Sequence, residues 1–128
     1  MKYALPILCL TLFLSGCGNN DAKLQEQLTG TWVADLGNNI RSMNVINSKG
    51  NFAARFIGYT NSTEIRIEGT FKVTGGALIE TVTKSSVKTE KVPFMVRGQI
   101  IRLNSQEMVT KWETKPVSVV VVAKRMKK

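Results

Sequence analysis

Residues 64–73 read Glu-Ile-Arg-Ile-Glu-Gly-Thr-Phe-Lys-Val, and this alternation of polar and apolar side chains decides the fold class. Successive side chains of a β-strand point to opposite faces of the sheet, so the stretch predicts a strand with one buried and one solvated face. Gly69 interrupts the pattern and predicts a bulge or a bend in that strand.

The same period-two pattern recurs on both sides of this strand, with short turns between the segments. The turn residues Ser48-Lys49-Gly50 predict a hairpin between strands at 40–47 and 51–59. Leu24 and Leu28 lie one helical turn apart, which predicts a helix over 22–28. The other predicted strands lie at 31–35, 77–83, 92–96, 100–103, 108–113 and 117–122, with a strand start or edge at Pro93 and a turn at Arg97-Gly98-Gln99.

Short strands separated by short turns, with little helix, are typical of an all-β antiparallel meander. We therefore predict a small antiparallel up-and-down barrel of about eight strands with a short N-terminal helix, since closure removes exposed sheet edges. The valine run of residues 117–122 predicts a strand that is buried on both sides or that has one interface-facing side.

Leu14-Ser15-Gly16-Cys17 follows a positively charged start and an apolar run, which together indicate a secretory signal too short to span a bilayer. These four residues resemble the lipobox of bacterial lipoproteins. The resemblance implies that the Cys17 thiol receives a diacylglyceryl group, that the chain is cut before it, and that acyl chains anchor the protein. The chain then divides into a signal peptide (1–16), a lipidated flexible tether (17–23) and a barrel domain (24–128).

Gly18 follows the predicted lipidation site directly. In lipoproteins of enteric type an Asp at this position tends to retain the protein at the inner membrane. Gly18 therefore favours an outer-membrane anchor, with the domain facing the periplasm or the cell surface. Cys9 leaves with the signal and Cys17 is acylated, so the exported domain has no disulfide and depends on its core.

Gly30-Thr31-Trp32 follows the short helix at the start of the first strand. It resembles the Gly-x-Trp signature of the lipocalin and calycin barrels, and the likeness extends over residues 24–125. The resemblance implies that Trp32 plugs the closed end of the barrel and that Arg125 stacks across its indole. A barrel of this kind binds a small apolar ligand, for which the candidate lining residues are Phe52, Phe56, Phe71 and Leu78.

The composition excludes most catalytic chemistry. The chain contains no histidine, which rules out Ser-His-Asp and Cys-His catalysis and histidine metal ligands. Glu64 and Glu68 share one strand face with Arg66 between them. This arrangement fits a solvated face with local ion pairing, and the alternative is the carboxylate pair of a glycosidase. We predict a non-catalytic protein without a metal or a cofactor.

The chain carries eighteen basic and nine acidic residues, a formal charge of +9 that falls to +8 when the signal removes Lys2. Such a charge on an envelope domain favours anionic neighbours: phospholipid head groups, lipopolysaccharide phosphates or an acidic protein face. The other interpretation is a charge that serves solubility. Nucleic acid is not expected, because no basic stretch is interleaved with aromatic residues. The candidate residues of an anionic-binding surface are Lys84, Lys88, Lys91, Lys124, Arg125, Lys127 and Lys128.

Two functions remain open beside an enzyme based on Glu64 and Glu68. The first is a lipid-anchored barrel that binds a ligand or an envelope component. The second is an accessory, exclusion or inhibitor lipoprotein that docks on an envelope protein through its barrel surface or its valine-rich last strand. Inhibition of lysozyme is disfavoured, because that target is usually basic and like charges repel. An apolar cavity would favour the first function, and a filled barrel with an exposed apolar patch would favour the second.

Overall fold

The computed structural model describes residues 20–58, 64–113 and 118–127. They form one helix, α1, over residues 20–27 and eight strands. No helix among these residues has the length and apolar character that crossing a membrane requires. The strands are β1 (Gly30–Gly37), β2 (Ile40–Ile46), β3 (Asn51–Gly58), β4 (Glu64–Thr74), β5 (Ala77–Ser85), β6 (Phe94–Leu103), β7 (Glu107–Trp112) and β8 (Val119–Arg125).

The eight strands form a closed antiparallel barrel in which each strand pairs with the next along the chain. The barrel closes between β1 and β8, where Trp32 lies opposite Arg125 and Ala34 lies opposite Ala123. The predicted fold class, a small up-and-down barrel of eight strands with a short helix, is confirmed.

The up-and-down order gives the barrel two ends of different character. The start of β1, the end of β8 and the β2–β3, β4–β5 and β6–β7 turns meet at one end, which we call the floor end. The carboxylate of Asp21 in α1 accepts hydrogen bonds there from the backbone N–H groups of Gly75 (2.9 Å) and Gly76 (3.1 Å). The helix is therefore attached to the floor end, and we call the opposite end the far end.

Local turn chemistry is as the sequence predicts. The side-chain oxygen of Asn47 accepts hydrogen bonds from the backbone N–H groups of Lys49 (2.9 Å) and Asn51 (3.0 Å), which fixes the β2–β3 hairpin. The register between β4 and β5 shifts at Gly69, so the predicted irregularity is confirmed. A Cβ atom at Gly69 would lie 1.8 Å from the carbonyl oxygen of Thr81, and only glycine allows so close an approach.

Two strand predictions are wrong. Residues 94–96 and 100–103 belong to one strand, β6, which begins directly after Pro93, and Arg97-Gly98-Gln99 lies inside it and is not a turn. Gly98 pairs with Trp112 across the β6–β7 ladder, and a Cβ atom at Gly98 would lie 2.9 Å from the indole. This glycine therefore makes room for a ring and does not reverse the chain.

The last strand begins at Val119, later than predicted, and residues 114–117 lie outside the described part of the chain. Its valines are not buried on both sides. Val121 faces the barrel interior, whereas Val120 and Val122 remain 56% and 45% exposed. The side chains of β8 thus alternate between the barrel interior and the outer surface. Of the two predicted alternatives, the one with a single apolar outward-facing side is the one that remains.

The apolar core fills the floor half of the barrel. Leu28 follows α1, Ile46 ends β2 and Leu78 is the second residue of β5, and each of these side chains is almost fully buried. Burial of a large aliphatic side chain contributes about 1.5–3 kcal/mol, so this layer is a major source of stability. Leu24 packs against the same cluster, as its position one turn before Leu28 predicts.

Candidate functional site

Trp32 seals the floor of the barrel. Its side chain is 1% exposed, and its indole N–H donates a 2.8 Å hydrogen bond to the carbonyl oxygen of Leu28, at the end of the α1 segment. The guanidinium of Arg125 lies over the indole, 4.4 Å from the ring centroid. A cation at this distance from an aromatic face is attracted by the partial negative charge that the ring quadrupole places on that face.

Arg125 ties two separate segments to the floor, the end of α1 with its link to β1 and the β6–β7 turn. Its side-chain nitrogens donate to the carbonyl oxygens of Thr29 (2.6 Å), Gln27 (2.6 Å) and Ser105 (2.7 Å). Gly30 has a φ of 141°, and a Cβ atom there would lie 2.4 Å from the guanidinium. The structure thus brings Gly30, Trp32 and Arg125 together, and the small residue leaves the space that the arginine occupies.

Above this floor the barrel encloses a cavity of about 360 Å³. Its volume falls within the range of small-molecule sites, and most of its wall is apolar. The exposed side chains of Leu36 and Val119 lie on its rim at the far end. The lining residues are Trp32, Ala34, Leu36, Ser42, Asn44, Ala54, Phe56, Ile67, Glu80, Val82, Phe94, Val96, Met108, Thr110, Trp112, Glu113, Val119, Val121 and Ala123.

Glu80 and Asn44 are polar side chains that interrupt the apolar wall deep in the cavity. Glu80 is 6% exposed, and the side-chain amide of Asn44 hydrogen-bonds its carboxyl group. Asn44 lies opposite Trp32 in the β1–β2 register, which places the pair toward the floor. Glu80 Oε2 and Asn44 Oδ1 are buried and have no hydrogen-bond partner within the described residues.

Burial controls the ionisation of Glu80. Loss of water around the carboxyl group raises its pKa from 4.5 to about 7, and the hydrogen bond from Asn44 opposes that rise. The other titratable residue on the described wall is Glu113, which is mostly exposed at the rim, with its carboxylate 3.6 Å from Arg97. Glu80 is therefore a carboxyl group that changes charge near neutral pH inside an apolar cavity.

Glu80 is the site residue that the sequence analysis missed. In β5, Glu80 lies two residues after Leu78 and two before Val82, so the three side chains share the inward face of the strand. A charged side chain at an inward position of an otherwise apolar face is the signal that marks it, because such a residue is rarely buried without a reason.

The four candidate lining residues separate along the barrel axis. Phe56, near the far end of β3, lines the cavity. Phe52, Phe71 and Leu78 are not among its lining residues and belong to the buried core. Alternation assigns all four to the inner face but does not give their height along the axis, which depends on the strand register.

The candidate anionic-surface residues fall at opposite ends of the barrel. Lys84 near the end of β5 and Lys88 and Lys91 in the β5–β6 connection are exposed at the far end. Lys124 and Lys127 lie at the floor end, where Lys124 is paired with Glu107. Arg125 is held against the indole of Trp32. Lys128, like Cys17 and the lipobox, lies outside the described residues.

The carboxylates Glu64 and Glu68 lie on the outer surface of β4, away from the cavity. Glu64 forms ion pairs with Arg55 and Arg66. Its hydrogen bonds with Arg55 and then with Arg66 lower its pKa. Among the described residues no group of three or more His, Cys, Asp or Glu side chains could hold a metal ion.

Comparison with known proteins does not add to this picture. No protein-family model matches the chain, and a comparison with curated protein sequences finds no match.

Proposed function

We propose that this protein is a non-catalytic, lipid-anchored envelope protein whose lipocalin-like barrel binds a small apolar ligand. The apolar cavity of about 360 Å³ above a sealed floor is the observation that carries the proposal. A barrel that served only as a scaffold would gain stability by filling this space, because each unfilled volume forfeits packing contacts. The arrangement of Gly30, Trp32 and Arg125 supports the lipocalin-like character.

The proposed anchor also orients the barrel. Cys17 precedes Asn20, the first described residue, by three positions, and an extended chain of that length spans about 10 Å. Asp21 is bound to the β4–β5 turn at the floor end. A lipid on Cys17 therefore holds the floor end beside the membrane and turns the far end away from it. In this orientation the ligand enters from the aqueous side of the envelope.

The anchor is tested by replacing Cys17 with serine. We expect the variant to accumulate as an unprocessed and unacylated precursor, because the serine hydroxyl does not take the place of the thiol that receives the diacylglyceryl group. Mass spectrometry of the N-terminal peptide should find an acylated Cys17 in the parent protein. An unmodified cysteine or a cleavage elsewhere in the parent protein would refute the anchor.

The ligand site is tested by filling the cavity from one strand. Ala54 lines the cavity and is 4% exposed, whereas its neighbour Ala53 points outward. We expect Ala54→Phe to abolish binding of the neutral probe decanol and Ala53→Phe to retain it, because only the first ring occupies the cavity. Both tryptophans of the chain line the cavity, so intrinsic fluorescence reports the binding. Equal decanol binding by the two variants would contradict a ligand site in the barrel.

A second candidate function is docking on an envelope protein through the outer face of β8. The exposure of Val120 and Val122 is the observation that favours it. Scattered exposed apolar residues are common, however, and an apolar face needs a partner to become an interface. If decanol does not bind to the parent protein, the outer face of β8 becomes the leading candidate for the functional surface.

A further inference from the structure

Glu80 and Asn44 form an incomplete polar site inside the cavity. Buried polar atoms in folded proteins nearly always have a hydrogen-bond partner, because an unpaired buried group keeps its full desolvation cost. Glu80 Oε2 and Asn44 Oδ1 have none within the described residues, and both side chains line the cavity. Two unpaired acceptor oxygens thus belong to side chains of the cavity wall, where a bound molecule could supply the missing donors.

The cavity wall around Glu80 and Asn44 is acidic, whereas the chain as a whole is basic. The chain has a formal charge of +9, yet the described cavity wall contains two glutamates and neither a lysine nor an arginine. Glu80 lies deep and Glu113 lies at the rim, so both ends of the cavity carry an acidic side chain. In a site with little water, fixed charges of one sign favour a ligand group of the opposite sign.

We propose that the cavity selects amphiphiles with an apolar body and a cationic amine head, which donates hydrogen bonds to Glu80 Oε2 and Asn44 Oδ1. This inference rests on the proposed ligand-binding function and names the class of ligand. A primary ammonium group has three donors and no acceptor, so it can satisfy both oxygens at once. A fatty acid would instead place its carboxylate beside Glu80, where two like charges repel strongly in an apolar environment.

The groups that face Glu80 are consistent with this assignment. Asn44 on β2 already donates one hydrogen bond, and Thr110 on β7 is the other buried polar residue of the wall. Glu113 is the other titratable residue on the described wall and lies at the rim beside Arg97. No described basic side chain on the wall therefore neutralises Glu80, and a bound ammonium supplies the counter-charge that the fold lacks. Binding then favours the ionised carboxylate, so the affinity for an amine rises as Glu80 loses its proton.

The test compares three probes that share one chain length and differ in the head group: decylamine, decanol and decanoate. The full-length protein is reconstituted in phosphatidylcholine vesicles at about pH 8, where an alkylamine is still protonated and Glu80 is ionised. Tryptophan fluorescence measures binding, and protein-free vesicles correct for partition of each probe into the lipid. The variant is Glu80→Gln, and the matched control is Glu68→Gln, which removes an exposed carboxylate from the outer surface of β4.

We expect the parent protein to bind decylamine at least about tenfold more tightly than decanoate. This ratio corresponds to the free energy that one hydrogen bond to a charged group contributes. Glu80→Gln should lose that preference while it still binds decanol, and Glu68→Gln should keep it. Equal affinity of the parent protein for the three probes would overturn the amine inference and leave the ligand-binding function intact. A preference that survives in Glu80→Gln would also overturn it. Failure of all three probes to bind would overturn both proposals.

Discussion

Replacement of Trp32 by alanine is expected to lower the free energy of unfolding by about 3–5 kcal/mol, the usual cost of removing a large buried aromatic side chain. The indole is 1% exposed and covers the floor of the barrel. Its loss removes the hydrogen bond to Leu28 and the ring that Arg125 contacts. The void that the indole leaves at the floor also becomes continuous with the cavity above it. Urea unfolding followed by circular dichroism measures the change.

Trp112 provides the matched control within the same chain. It is half-buried, and its ring stands beside the existing cavity and against Gly98. Trp112→Ala should therefore destabilise the protein less than Trp32→Ala. If the two variants unfold at the same urea concentration, or if Trp32→Ala unfolds with the parent protein, Trp32 does not seal the floor.

The parent protein is expected to become less stable as the pH rises toward neutrality. Glu80→Gln is expected to abolish this dependence on pH. Burial raises the pKa of Glu80 from 4.5 to about 7, so the folded protein holds this proton over a range in which the unfolded chain has released it. Stability is therefore highest below pH 4.5 for this group and falls until about pH 7. Between about pH 5 and pH 8 the loss amounts to about 2–3 kcal/mol.

The other shifted carboxylates do not interfere with this measurement. Hydrogen bonds with Arg55 and Arg66 lower the pKa of Glu64, and hydrogen bonds with Lys124 and Arg102 lower that of Glu107. The contribution of these two carboxylates to the free energy of unfolding therefore changes below pH 4.5. It is lost as the pH falls, which is opposite to the behaviour of Glu80. Urea unfolding of the parent protein and of Glu80→Gln at several pH values measures the difference. Identical pH profiles would contradict a buried, titrating Glu80.

Local patterns predicted most of the fold because its elements depend on local chemistry. The alternation in residues 64–73 and the turn at Ser48-Lys49-Gly50 each need only neighbouring residues to act, and both are present as expected. The segment around Gly98 was misread for the same reason. A glycine between polar residues looks like a turn until the indole of Trp112 on the next strand is known.

The site was harder to predict, because its position depends on closure of the barrel. Alternation shows which side chains point inward, but strand register decides how high each lies along the axis. Phe56 therefore lines the cavity while Phe52, four residues earlier on the same face, belongs to the buried core. Glu80 and Asn44 come from strands far apart in the sequence, and their contact follows only from the closed sheet.

Isolation of the protein from its native membranes would show whether the barrel holds a small amphiphile in its cavity. Mass spectrometry of the molecules that co-purify with it would compare the parent protein with Ala54→Phe, which fills the cavity, and Ala53→Phe, which does not. We expect an amine-bearing amphiphile that is present with the parent protein and Ala53→Phe and missing from Ala54→Phe. The same set of molecules with all three proteins would mean that the cavity is not a ligand site.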